Sequence, residues 1–444
     1  MNKEFREKLN FFSFSDIDSG RKDRIMKFTS TEATPAPHVP PGVLRLTGAA
    51  KEDIPMYRIQ TMNKISPVGL NRFPSELYEV GDAVQDPQGI LVRSAKLLDL
   101  EFNPSLLAIA RAGVGVNNIP LDRCAAAGIP VFSTPGANAN AVKELVICAM
   151  LMGSRDIPGA IRWVREQAAS GVDVSTVVEK GKSAFIGPEL YKKTLGIIGL
   201  GAIGSIVANT AISLGMDVYG YDPFLSVDTA LRLDRHVHVV KDINDLYKRS
   251  DYITMHIHYT EKTAHMIDAS AIAAMKRGVR VINLARGEIV DDEAMLTALD
   301  TGMVAAYITD FPNNRLLTAP HVIAMPHLGA STPESEQNCA AMAVDTLRDY
   351  LESGNIRSSV NLPEMTMDRS GVQRLCVLHK NVPGMLANIT SLFGRDGVNV
   401  ENLSNKSRGD YAYTMVDLGS KVGDNVIEDV RRTANVIRVR SLEW

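Results

Sequence analysis

The chain has 444 residues, 45% of them hydrophobic and 22% charged, which is ordinary for a globular protein and more than one hydrophobic core accommodates, so two or three domains are expected. Its 48 Lys plus Arg against 51 Asp plus Glu, a net charge of -3, give no support for a nucleic-acid-binding surface, and no apolar run approaches the ~20 residues that span a bilayer. The four cysteines, Cys124, Cys148, Cys339 and Cys376, form no CxxC pair; neither a metal site nor a disulfide framework is expected, and reduced thiols fit a cytoplasmic protein.

Residues 1–53 read as an N-terminal extension ending in a Pro-rich stretch, Thr34-Pro35-Ala36-Pro37-His38-Val39-Pro40-Pro41. The continuous apolar core of a secretory signal is missing, and Glu4, Glu7, Asp16 and Asp18 argue against a mitochondrial presequence. From there short apolar runs alternate with helical stretches. Gly89-Ile90-Leu91-Val92, Leu107 to Arg111 and Ile129 to Phe132 predict buried parallel strands, each closed by turn residues. A helical segment around Ala141 to Met152 leads to a second series: Thr194 to Ile198, Asp217 to Tyr221, Tyr252 to His256, Val279 to Asn283, Ala306 to Thr309 and His321 to Ala324. The pattern is α/β, two doubly wound parallel-sheet (Rossmann-like) domains. One comprises residues 54–143 and 325–357, the other 144–324. Residues 372–444 differ: strand, helix, two strands joined by a turn at Arg408-Gly409-Asp410, helix, strand. That is βαββαβ, a small ferredoxin-like unit.

Gly199-Leu200-Gly201-Ala202-Ile203-Gly204 is a G-x-G-x-x-G that follows one strand and opens a helix, and Asp222 closes the next strand about 20 residues on. Gly199 permits the tight turn, Gly201 lets backbone approach a pyrophosphate, and Gly204 lets helix and strand pack. The helix N-terminus, with Ala202 and Ile203 in its first turn, offers free N–H groups to phosphates. Asp222 accepts ribose hydroxyls and repels a 2′-phosphate, so NAD is favoured over NADP.

Two further segments put polar residues at the carboxyl ends of strands. Leu284-Ala285-Arg286-Gly287 follows one strand, and Pro326-His327-Leu328-Gly329-Ala330-Ser331-Thr332 follows another. Oxidising a secondary alcohol needs a base, for which a histidine suits neutral pH, and a 2-hydroxy acid needs a cation for its carboxylate, for which an arginine offers two aligned donors; taken singly, Arg286 also reads as a solvated helix-start residue and His327 as a satisfied histidine at a strand end.

These two strings, with the dinucleotide motif, resemble the arginine and histidine motifs of the D-2-hydroxyacid dehydrogenases, in family order over residues 54–355. The resemblance implies Arg286 and His327 as catalytic residues and places His256, Ala285 and Asp310 with the cofactor. The family's glutamate partner of the histidine is missing: Phe311-Pro312-Asn313-Asn314-Arg315 contains no acid, and Asn313 or Asn314 falls nearest its place. An asparagine can orient an imidazole but cannot stabilise its cation by charge.

Val92-Arg93-Ser94-Ala95 resembles the segment that holds the far end of the substrate in the phosphoglycerate dehydrogenases of that family. Arg93 and Ser94 would take a phosphate, the backbone of Gly113-Val114-Gly115 a carboxylate, and Asn138 a further polar contact. The resemblance thus implies NAD-dependent oxidation of 3-phospho-D-glycerate; the alternatives are a hydroxypyruvate or glyoxylate reductase, or a non-catalytic NAD(H)-sensing corepressor-like protein. His379-Lys380-Asn381-Val382-Pro383-Gly384 resembles the first loop of an ACT regulatory domain, and His379, Asn381 and Asn399 match positions that bind L-serine in serine-inhibited members. An L-serine effector and a homodimer or homotetramer are implied.

Overall fold

The computed structural model describes residues 56–444; the extension read over residues 1–53 lies outside the described residues. The first sheet has strands β1 (Tyr57–Met62), β2 (Tyr78–Gly81), β3 (Gly89–Val92), β4 (Ala108–Arg111) and β5 (Val131–Phe132), all parallel, in the order β2-β1-β3-β4-β5. All four residues of β3 are buried, as expected of a strand covered on both faces. β1 and β2 lack an apolar run: Tyr57-Arg58-Ile59-Gln60-Thr61-Met62 alternates in polarity, and only Ile59 is fully buried.

The second sheet has β6 (Thr194–Ile198), β7 (Asp217–Tyr221), β8 (His238–Val240), β9 (Tyr252–Met255), β10 (Val279–Asn283), β11 (Val304–Thr309) and β12 (Val322–Ala324). Their order, β12-β11-β10-β9-β6-β7-β8, reverses between β6 and β9, the position at which doubly wound sheets open a ligand crevice. Register aligns the carboxyl ends: Ile198 lies beside Tyr221 and Met255, and Asn283 beside Met255 and Thr309. Gly199, Asp222, His256, Leu284 and Asp310 therefore begin five neighbouring loops on one edge. In the first sheet, Val92 lies beside Met62 and Arg111, so the loops from Asn63, Arg93 and Ala112 emerge together.

Between the sheets, the Ala139–Arg155 helix contributes Val142, Val146, Ala149 and Met150 to the second core. Two more helices follow, Ile157–Ala169 and Val174–Gly181, which the alternating β/α reading passes over. Asp156 caps the first of them through Gly159 N, and Pro158 stands in its opening turn, both ordinary helix-start signals. Gly159 is their only buried residue, so the periodicity has no core to report.

The chain returns to the first sheet in the Pro333–Ser353 helix, whose Ala340, Ala343, Val344, Leu347 and Leu351 enter the first core. The last sheet has β13 (Gln373–Lys380), β14 (Val400–Arg408), β15 (Tyr411–Leu418) and β16 (Val436–Glu443), antiparallel in the order β14-β15-β13-β16, with helices Met385–Arg395 and Asp424–Arg432. This is the βαββαβ unit, and it is not a separate body. Alternate residues of β13 and β15 face two different cores: Leu375, Val377, Val416 and Leu418 pack on the unit's own helices, while Cys376, Leu378, Tyr413 and Met415 pack into the core of the first sheet. Because side chains alternate along a strand, burial on both faces makes these strands apolar throughout.

Arginines stitch this junction. Arg440 donates to the carbonyls of Tyr350 and Leu351 at 3.0 and 2.8 Å, and the Tyr413 hydroxyl donates to that of Gly354 at 2.8 Å. Arg374, fully buried against Asp417, donates to Ser353 O at 2.8 Å. The carbonyls left free at the C-terminus of the long helix are thus satisfied by side chains of the last unit. All four cysteines are free thiols. Among the described residues no helix is long and apolar enough to cross a membrane, and no cluster of metal-ligating side chains occurs.

Candidate active site

The dinucleotide turn is built as its glycines require. Gly199 has φ 90°, and a Cβ there would lie 2.6 Å from the carbonyl oxygen of His256. A Cβ on Gly204 would lie 1.9 Å from Gly199 O, so the Ala202–Ser213 helix sits directly against the end of β6. Gly201 has open space where a Cβ would stand. Asp222 is fixed by two backbone donors: Leu200 N to Oδ2 at 2.9 Å and Phe224 N to Oδ1 at 2.8 Å. An ionised carboxylate keeps lone pairs free beyond these two. His256 lies 3.2 Å from Thr254 Oγ1 through Nε2, and burial pushes its pKa down to about 4, so the ring is neutral in the crevice. From the first sheet, the loop with Gly136 reaches over to Ala202, 3.3 Å from where a Gly136 Cβ would be.

Arg286 lies across the same crevice. A Cβ on Gly115 would come within 3.0 Å of its Nη2, which puts the guanidinium of the second domain against the Gly113-Val114-Gly115 loop of the first. Its Nη1 donates to Ala285 O at 2.6 Å. Buried Asn283 ties this turn from below, accepting from Ala285 N at 3.2 Å and donating to Arg286 O at 2.8 Å. Phe311 stands between the two catalytic candidates: the Arg286 guanidinium carbon is 5.7 Å from its ring centre, and the His327 ring centre 4.6 Å. His327 itself is exposed to the crevice.

Neither asparagine replaces the missing glutamate. Asn313 spends its side chain on Asp292, at 2.5 Å, and on the backbone N–H groups of Arg315 and Leu316 at 3.0 and 3.1 Å, and Asn314 is exposed. Around Asn313 the segment closes into a turn of its own, with Asn313 bonded to Asp292, Arg315 N and Leu316 N and not to the imidazole. Asp310 is the acid near His327: Gly329 N donates to its Oδ2 at 3.0 Å, and its Oδ1 is buried without a partner. Burial raises its pKa, against the lowering effects of the Gly329 N–H and of His327.

Arg93 and Ser94 follow β3. Asn63, at φ 75°, accepts from Ser94 N and Ala95 N at 3.1 and 2.6 Å and so shapes their loop. Arg93 is paired with Glu336 at 2.5 Å. Arg111, read only as the end of a strand, belongs with them: its Nε donates to Arg93 O at 2.9 Å, and its Nη1 lies 2.9 Å from where a Gly113 Cβ would be. Burial first, and then the like charges of Arg286 and Arg93, lower its pKa. Arg111 thus links Arg93 to Arg286, whose guanidinium shares the Phe311 ring with His327. Asn138 precedes the Ala139–Arg155 helix with its Oδ1 buried and unpartnered.

The three tail residues are not brought together within one chain. His379 is buried, with Nδ1 against Lys380 O at 2.8 Å and Nε2 against Thr414 Oγ1 at 2.9 Å. Asn381 Nδ2 donates to Gly409 O at 3.1 Å, beside the β14–β15 turn. Asn399 precedes the other end of β14, a nine-residue strand, and so lies ~30 Å away.

The family model described as D-isomer specific 2-hydroxyacid dehydrogenase, NAD binding domain, matches residues 147–329. The chain is 31% identical over 379 residues to a D-3-phosphoglycerate dehydrogenase of Haemophilus influenzae, covering 82% of this chain and 88% of that one. The chain belongs to the D-2-hydroxyacid dehydrogenases. This dehydrogenase is also 36% identical over 326 residues to a D-3-phosphoglycerate dehydrogenase of Synechocystis, where the match covers 71% of this chain but only 56% of the relative; the chain spans little more than half that relative's length. A solved NAD+-bound 3-phosphoglycerate dehydrogenase of Entamoeba histolytica aligns with a TM-score of 0.54 at 26% identity, over 69% of this chain and 99% of that one. NAD is the cofactor, and the residues fit it. Gly201 has open space where a Cβ would stand at the helix N-terminus, Asp222 keeps carboxylate lone pairs free, and one Asp310 oxygen has no partner, an arrangement with room and acceptors for a dinucleotide.

Proposed function

We propose that this dehydrogenase oxidises 3-phospho-D-glycerate to 3-phosphohydroxypyruvate, in the direction of serine biosynthesis. The observation that carries this reading is the run of Arg93, Arg111 and Arg286 along the Gly113-Val114-Gly115 loop, with His327 across the Phe311 ring from Arg286, a surplus of cations suited to a substrate with a carboxylate and a phosphate. NAD, when bound, supplies the hydride acceptor. His327 takes the proton from the substrate hydroxyl. Arg286 holds the carboxylate and stabilises the oxygen as it becomes a carbonyl, with the Gly113-Val114-Gly115 loop opposite. Asp310 and Asp222 hold the two ends of the cofactor, and Asn138 makes a further polar contact with the substrate, its amide N–H groups donating to an anionic oxygen.

The test is NADH oxidation with 3-phosphohydroxypyruvate, the readily observed direction. Turnover that falls by roughly 10²- to 10⁴-fold in His327→Ala supports the reading. Turnover with hydroxypyruvate alone would move the assignment to an unphosphorylated 2-hydroxy acid, and NADH binding without turnover on either substrate would favour a sensing protein.

The last unit is an ACT regulatory domain in this reading, and L-serine its effector. Its edge strand β14 is long and mostly exposed. Antiparallel pairing of two such edges would set Asn399 of one chain near the turn that holds Asn381 of the other, so the effector site belongs to a homodimer. His379, engaged on both nitrogens, would support that loop from within. The exposed apolar residues Ile161, Val164, Val178 and Ile186 of the extra helical segment offer a second surface for self-association. Sedimentation with and without L-serine tests both points: a monomer indifferent to serine would remove them.

A further inference from the structure

Arg93, the residue assigned to the substrate's distal group, carries a carboxylate already. Glu336 sits in the first turn of the Pro333–Ser353 helix, and its Oε1 accepts from Arg93 Nη2 at 2.5 Å. It is the one hydrogen-bond partner of the Arg93 side chain among the described residues. Both side chains are 44% exposed, so the pair is a single-contact surface bridge, weak and open to exchange. Thr332 caps the helix through Ser335 N at 3.1 Å, and the loop after β12 that carries His327 leads into that cap, so Glu336 and His327 are borne by one connected segment. Among the described residues neighbouring Arg111 has no carboxylate partner, and its side chain's one hydrogen bond goes to Arg93 O.

We propose that Glu336 is a built-in competitor at the distal anion site, a carboxylate that the substrate's tail must displace from Arg93. The proposal rests on the reading of Arg93 as the phosphate residue and names the side chain that sets its selectivity. A monoanionic tail gains little by exchanging one carboxylate for another on the same guanidinium. A phosphate dianion brings more charge and three acceptor oxygens, and it also feels the positive charge of neighbouring Arg111, so it wins the exchange. Glu336 therefore weakens binding of every anionic tail and weakens a dianion least.

The experiment compares KM for 3-phosphohydroxypyruvate with KM for hydroxypyruvate, using NADH and the full-length chain. Glu336→Gln is expected to lower the ratio of these two constants about three- to tenfold. Glu334→Gln, in the same helical turn but with no hydrogen-bond or ion-pair partner among the described residues, should leave the ratio where it was, and Glu336→Gln should have no effect on it in an Arg93→Ala background. A ratio that rises or stays constant in Glu336→Gln, while Arg93→Ala selectively raises KM for the phosphorylated substrate, overturns the competitor role and leaves the phosphate reading standing. An equal drop in Glu334→Gln overturns it in favour of bulk charge. Arg93→Ala raising both constants alike overturns the phosphate reading and the competitor with it.

Discussion

Asp310 holds a carboxylate in a buried position where one oxygen has a backbone donor and the other has none. Its pKa is raised by burial, so the stability it contributes is present below the ordinary carboxylate value and is lost as pH rises through the folded value. Asp310→Asn is expected to stabilise the cofactor-free protein by about 1 kcal/mol at neutral pH, seen as a higher Tm, while raising the Kd for NADH. A lower Tm would show that the ionised group is worth keeping for the fold alone. His256 runs the other way. Its folded pKa of about 4 lies below the ordinary histidine value, so its contribution is full above about pH 6.5 and fades as pH falls toward 4. His256→Gln should flatten the acid limb of a Tm-against-pH curve through that window. The glycine motif separates two effects: Gly204→Ala forces a Cβ against Gly199 O and should unfold the turn, whereas Gly201→Ala meets no protein atom and should cost NADH affinity without lowering Tm. The tight turn at Gly199, the close packing at Gly204 and the strand end at Asp222 were legible because local chain geometry fixes them. Asn63, Arg111, Asn283, Phe311 and Glu336 were not, since each acquires its place only when strands or domains meet.

At the level of elements, the buried Arg374–Asp417 pair closes the C-terminus of the Pro333–Ser353 helix. Removing one partner strands the other in a dry site, so Arg374→Met should lower the unfolding free energy by ~3–5 kcal/mol in urea titrations, and Asp417→Leu added to it should restore part of the loss. A loss under 1 kcal/mol would mean that water reaches the pair. The apolar runs that made strands legible were those sealed on both faces, such as β3, β9 and β13. Where burial is partial the signal fades: β8 is exposed at His238 and Val239, and the helices over residues 157–181 bury one glycine between them. The separation of residues 372–444 into a domain of their own followed from a change in element order, but that pattern carries no information on which face of a sheet another domain covers.

The whole molecule is joined more tightly than a regulatory unit on a tether. Ending the chain after residue 368 would uncover the face of the first core that Cys376, Leu378, Tyr413 and Met415 seal and would leave the helix carbonyls at 350–354 without their side-chain donors. Such a truncated protein is expected to melt well below the full chain and to aggregate; one that melts with it and keeps its activity would show that the contact is dispensable. The same junction bears on the order in which the molecule is assembled. The second sheet is drawn from one contiguous stretch, residues 194–324, whereas the first core draws on Ile59, Leu347, Met415 and Leu442. During synthesis the nucleotide-binding half can close as soon as it leaves the ribosome, while β1 to β5 wait, incomplete, for the last residues to be added. Stalled chains ending near residue 360 should therefore protect residues 194–324 from protease and leave residues 56–135 open to it.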